Sequence, residues 1–228
     1  MRGLIAIESS QRTVGVALDL GGEVISVEVA GDPRERDLLL PAIDEVCRRA
    51  QIVAAELTAV AVSTGPGGFT GLRVAIATAK GICVACGIPA IDVPSALVAT
   101  EATRAAWMAH GEGAIVALAS KGERCWVAEV SATHGPVTMA NEGPAGIEDL
   151  VAMAPRVVVA DEHLPLAMRH WCEASGVPIV PPVFCPKACL VVARESLRRG
   201  DVVDALRLAP RYPREPEAVT VWRARKGR

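Results

Sequence analysis

GPGGFTGLRVAIATAKG, residues 65 to 81, sets a glycine-rich turn directly before an apolar helical stretch. Glycines let a backbone pass close to a ligand, and a helix N-terminus after them offers free amides and a positive dipole end. Gly65, Gly67 and Gly68 are therefore candidate nucleotide-contact positions. Neither common nucleotide signature fits. A Walker loop needs Lys followed by Ser or Thr after its last glycine, whereas Gly71 is followed by Leu72 and Arg73. A dinucleotide loop needs a hydrogen at its third glycine position, where Thr70 stands. A tight turn that starts a helix, with Thr70 near its beginning, accounts for the same residues without a ligand.

Composition narrows the classes. The 228 residues suffice for one large domain or for two lobes of roughly 100 residues each. Charged residues make up 22%, with a net charge of -2 and a pI near 6.1, so no broad nucleic-acid or anionic-membrane surface is implied. The closing WRARKGR reads as a solvated basic terminus. Lys80 and Asp92 interrupt the longest apolar candidate short of the ~18 residues that span a bilayer. MRGLIAIESS lacks a signal peptide's apolar stretch because Glu8 arrives early. These features predict a cytosolic protein without a membrane partner.

The seven cysteines fit reduced core thiols. Cys83 and Cys86 form C-x-x-C, and Cys185 and Cys189 form C-x3-C, so four thiolates could close a zinc site. The first pair falls late in an alanine-rich helical pattern rather than in a knuckle turn, which favours the core reading. His110, His134, His163 and His170 make no H-x3-H pair. No metal is expected.

Working outward, LIAIE (4 to 8), TVGVALDL (13 to 20) and EVISVEVA (23 to 30) alternate like three antiparallel strands. An amphipathic stretch from 38 to 50 follows, with Leu39, Ile43, Val46 and Cys47 on one face and Pro41 marking its start or a kink. Then come a buried strand at 57 to 63, the glycine turn, a helix over 70 to 86 and a short strand PAIDV. The second half repeats this order: strands at 114 to 120, 124 to 131 and 136 to 140, a helix at 147 to 153, a strand at 156 to 160 and a helix at 162 to 175. A last helix spans 187 to 199 after the proline-rich VPIVPPVFCP. The repeat predicts an α/β fold of two βββαβα lobes with mixed sheets, residues 1–108 and 109–228, the final segment packing back on the first. That is the actin, sugar-kinase and heat-shock-ATPase-like (ASKHA) layout.

Within it, LIAIESS, LLLPAID, AVAVSTGPGGFTGLRVAIATAKGI, GIPAIDVPS, ASKGERCWVAEV and LRLAPRYPRE resemble the TsaB (YeaZ) family, most specifically at GPGGFTGLR. The resemblance implies a non-catalytic subunit that binds and supports the catalytic paralogue TsaD in making threonylcarbamoyladenosine on transfer RNA. TsaD carries a metal-binding H-x3-H where this chain has Ser95 and Ala99, neither of which can replace an imidazole. At the first-strand turn, Glu8, Ser9 and Ser10 occupy positions that in the superfamily face nucleotide phosphates and their metal. Many family members read Asp-Thr-Ser there, and the extra methylene of Glu8 weakens metal geometry. The family's His before Leu-Leu-Pro is replaced by residues 34 to 37. No catalytic residue and no catalytically bound cofactor are expected, with room for ATP only in the assembled complex.

The resemblance further implies a TsaE-like ATPase as partner, a homodimer when the chain is alone, and contact with transfer RNA through the complex. An ATP-binding or ATP-hydrolysing ASKHA enzyme remains the alternative, and a peptidase ranks third because no Ser or Cys nucleophile stands in a recognisable motif. In helix 70 to 86 two stripes recur at four-residue intervals: Ala75, Ala79, Cys83 and Ala77, Gly81, Ala85. One should pack on its own sheet and the other admit a second helix backbone. The pairing surface is expected on Leu72, Ile76, Ala79 and Cys83, flanked by Leu39 and Ile43, with Arg73 and Lys80 on the rim.

Overall fold

Alternation of apolar residues in the first strand decides how the first lobe is layered. In the computed structural model, which describes residues 3–30, 38–133, 135–213 and Trp222, β1 (Gly3–Glu8) is buried throughout. Its Ile5 and Ile7 enter one core cluster and its Leu4 and Ala6 another, because successive side chains leave a strand on opposite faces. Residues 34 to 37, His134 and the basic tail beyond Trp222 lie outside the described residues.

β1 pairs antiparallel with β2 (Thr13–Asp19) and parallel with β4 (Leu57–Gly65). With β3 (Val24–Ala30) and β5 (Ala90–Pro94) the first sheet runs β3-β2-β1-β4-β5. β4 is a nearly unbroken apolar run because it is a central strand covered on both faces. The second sheet has β6 (Gly113–Lys121), β7 (Arg124–Ser131), β8 (Thr138–Ala145), β9 (Val158–Ala160) and β10 (Ile179–Val180), in the order β10-β9-β6-β7-β8. Read from its other edge this is the order of the first sheet, with the same antiparallel and parallel pairings. Two such lobes are the ASKHA arrangement.

Helices α1 (Leu39–Arg49) and α2 (Phe69–Cys86) cover the Ile5/Ile7 face of the first sheet. In α1, Leu39, Ala42, Ile43 and Val46 are buried at helical spacing, and Pro41 sits in the first turn, where a missing N–H costs no intrahelical bond. The opposite face is covered by α7 (Pro186–Arg199), whose Ala188, Cys189, Leu190 and Ala193 pack on Leu4, Ala6, Ala59 and Ala61. The second half of the chain thus supplies one layer of the first lobe. In return α3 (Ser95–Ala102) and α4 (Arg104–Met108) contribute Ala96 and Trp107 to the core of the second sheet. Leu97 and Phe184 touch both clusters. Helices α5 (Ile147–Met153) and α6 (Leu166–Ala174) cover the remaining face with Leu150, Met168 and Cys172.

Several expectations are corrected. Residues 95 to 102 and 104 to 108 form two helices although no amphipathic pattern announces them; in the first, Ser95, Ala96, Val98, Ala99 and Thr100 are all buried. The proline-rich stretch holds the two-residue β10, which completes the second sheet. β8 runs on to Ala145 rather than stopping at 140, and α6 begins only after Pro165. α2, 18 residues long, is also long and apolar enough by composition to cross a membrane, contrary to the run-length reading; five of its residues pack into the chain's own core.

Candidate functional site: a filled glycine turn and an uncovered helix face

The turn after β1 and the turn before α2 meet directly. Ser10 O accepts from the Gly68 amide at 2.7 Å, and the Ser9 amide donates to Ser63 Oγ at 3.3 Å. A Cβ on Gly67 would lie well inside 3.0 Å of the Ser10 carbonyl oxygen, and one on Gly71 as close to that of Ser9. Gly65, at φ +113°, has Leu72 and the Arg211 carbonyl against the same missing atom. These glycines are therefore required by the chain's own backbone. The structure brings Glu8, Ser9, Ser10, Gly65, Gly67 and Gly68 together, and it fills the space between them.

Glu8 is buried, at 1% exposure. Its Oε1 accepts from the Ser10 amide at 2.7 Å and from Ser10 Oγ at 2.5 Å, while Oε2 has no hydrogen-bond partner among the described residues. Burial pushes the carboxyl above its ordinary value of 4.5, against the opposing bonds from Ser10 and Ser63. A buried carboxyl whose one oxygen is already taken up by the Ser10 amide and hydroxyl is a poor metal ligand. Because the folded value is raised, the stability contributed by the neutral carboxyl is complete below the unfolded value and is lost as pH rises through the folded one. Glu8→Gln, neutral at every pH, should flatten the pH dependence of the urea midpoint above about pH 4.5. Equal slopes for parent and variant would assign the dependence to another group.

Ser95 and Ala99 are both buried on α3. Ser95 Oγ accepts from the Gly65 amide at 3.1 Å, so it braces the glycine turn. Cys83 and Cys189 lie in clusters on opposite faces of the first sheet, which prevents the two cysteine pairs from closing one zinc site. Burial raises the Cys83 thiol to about 11 and holds that of Cys189 well above its ordinary value. Among the described residues no three His, Cys, Asp or Glu side chains are grouped as a metal would need.

The expected pairing residues divide in two. Leu72, Ile76, Ala79 and Cys83 are between 0 and 4% exposed, and Leu39 and Ile43 are buried with them in the first-lobe core. They cannot present a surface. Of the two stripes of α2, that of Ala75, Ala79 and Cys83 is buried and that of Ala77, Gly81 and Ala85 is exposed. Val74 and Val84 extend that stripe at 37 and 63% exposure, and Phe69 lies at its N-terminal end at 55%. Arg73 is exposed beside it, stacked over the Phe69 ring at 3.6 Å, and Lys80 donates to Leu206 O at 3.1 Å. A corollary is that Ala79→Arg would unfold the first lobe by forcing an unpaired charge into its core.

The chain is thus two-lobed, with the ASKHA strand order in each sheet, and its glycine turn is packed against the backbone of Ser9 and Ser10. A family model described as TsaD: tRNA N6-adenosine threonylcarbamoyltransferase matches residues 33–142. The chain is 29% identical over 114 residues to a tRNA threonylcarbamoyladenosine biosynthesis protein TsaB of Haemophilus influenzae, covering 50% of this chain and 47% of that one. It is 28% identical over 126 residues to the Escherichia coli protein of that name, covering 54% and 53%. It therefore spans about half the length of the curated relatives it matches. YeaZ from Pseudomonas aeruginosa superposes with a TM-score of 0.73 at 21% identity, over 93% of this chain and 100% of that one. In sequence and in fold the chain is thus similar to proteins named TsaB and YeaZ.

Proposed function

We propose that this chain is a non-catalytic, activating scaffold in the making of threonylcarbamoyladenosine on transfer RNA, and that a TsaD-like catalytic subunit docks on the open face of α2. The observation that carries the reading is the stripe of Ala77, Gly81 and Ala85 between Val74 and Val84. Small residues let a second helix backbone come close, and a contiguous apolar face left in water marks an interaction site. Val53 and Leu206, 63 and 69% exposed in the short turns that pack against α2, extend the same face. Arg73 supplies a rim contact.

A second copy of the chain would use the same stripe when the catalytic subunit is absent, giving a homodimer. A TsaE-like ATPase and transfer RNA join through the complex, in the cytoplasm, and ATP is used there rather than in this chain. The closed turn supports that division, because a phosphate cannot enter a space held by the Ser9 and Ser10 backbone. Tagged protein should copurify TsaD-like and TsaE-like chains. Alone it should show no multiple-turnover ATP hydrolysis; robust turnover abolished by Glu8→Ala would favour the ATP-using enzyme instead.

A further inference from the structure

After α7 the chain forms a strap over the first lobe. Val203 and Ala90 exchange backbone hydrogen bonds at 2.8 and 3.1 Å, attaching the strap to the edge strand β5. Ala205 and Leu208 insert into the first-lobe core, and the Arg211 amide donates to Thr64 O at 2.7 Å at the end of β4. Tyr212 then stacks on Phe69 with ring centroids 5.4 Å apart, and its hydroxyl accepts from Arg73 Nε at 2.6 Å. Backbone pairing, core insertion and stacking together fix the position from which the Arg211 side chain departs.

That side chain reaches both lobes at once. Nη2 donates to Asp92 Oδ2 on β5 at 3.1 Å, and Nη1 donates to Glu142 Oε1 on β8 at 2.9 Å. Thr64 Oγ1 donates to the other oxygen of Asp92 at 2.5 Å, so the first-lobe carboxylate is oriented before the guanidinium arrives. The planar fork of arginine holds two carboxylates in fixed relative positions, which a lysine ammonium does not do. Beyond it, Pro213 lines a cavity of about 380 Å³ with Lys121, Arg124, Trp126 and Pro144 of the second lobe.

We infer that Arg211 is an interlobe latch, which holds β5 of the first lobe and β8 of the second in a fixed relation. It adds a polar tie to the apolar contact at Leu97 and Phe184, and it fastens the second lobe to the strap that borders α2. The latch is a property of the isolated chain and does not depend on which partner α2 receives.

Hydrogen–deuterium exchange of the full chain tests it. Arg211→Met should raise exchange at least tenfold in residues 138–145 of β8 as well as in the strap at 206–213, with β1 and β2 unchanged. Glu142→Gln, a surface change that leaves the strap's own attachments intact, should reproduce the effect on β8, and the double variant should add nothing further. Arg211→Lys should fall between parent and Arg211→Met. If Arg211→Met loosens only the strap, or if Glu142→Gln leaves β8 as protected as in the parent, the latch does not exist. Effects of the two single variants that add in full would likewise contradict a shared contact.

Discussion

Gly71→Ala and Gly67→Ala are each expected to destabilise the first lobe by about 3 kcal/mol or more, because the new methyl meets a carbonyl oxygen rather than a yielding side chain. Both positions sit against the backbone of the β1–β2 turn, well inside 3.0 Å, and neither strand end can retreat without breaking the sheet. Gly68→Ala, whose methyl would lie 3.6 Å from Ser10 O, should cost little. Gly81→Ala, facing open space in mid-helix, should stabilise the chain by about 0.5–1 kcal/mol. This pattern separates packing from ligand cradling. Glycines kept for a phosphate would tolerate a methyl in the free protein and lose only ligand affinity. Urea unfolding of the four variants reads the difference directly, and a Gly71→Ala protein as stable as the parent would return the turn to the nucleotide reading.

Gly81→Arg should abolish pairing through α2 while the chain stays folded. Its Cβ would meet nothing within 4 Å at an exposed position, so the free protein loses no contact. In a complex the same side chain would hold two helix backbones apart and bury an unpaired charge, a cost of about 3–5 kcal/mol, or at least a hundredfold in affinity. Gly81→Ala sharpens the test, since it should raise the melting temperature and yet weaken close helix approach. A merely structural role for the stripe would not move those two quantities in opposite directions.

Much of the fold was legible because strand patterns are local. Ile5 and Ile7 against Leu4 and Ala6 state the two faces of β1 in four residues. The segments that escaped reading lack such a contrast. α3 is buried over most of its surface, β10 is two residues long among prolines, and β8 is largely exposed along its length. The candidate site was legible only in part. The two small-residue stripes of α2 stand in the sequence, but Ala75, Ala79 and Cys83 are as small as Ala77, Gly81 and Ala85, and which stripe is exposed depends on the sheet beneath them. The glycine turn was legible as a close approach, whereas its occupant, the carbonyls of Ser9 and Ser10, is set by β1–β4 pairing across more than fifty residues. Arg211 could not be found from sequence at all, since its two carboxylates lie 119 and 69 residues away.

The central claim is that the exposed stripe of α2 receives a TsaD-like subunit. Isothermal titration of the purified chain against that subunit tests it most directly, with Ala77→Arg and Gly81→Arg compared with Leu166→Arg, a control at an exposed leucine of α6. Both α2 variants should lose at least a hundredfold in affinity with unchanged circular dichroism, and Leu166→Arg should bind as the parent does. Parental affinity in folded Ala77→Arg and Gly81→Arg proteins would contradict the account.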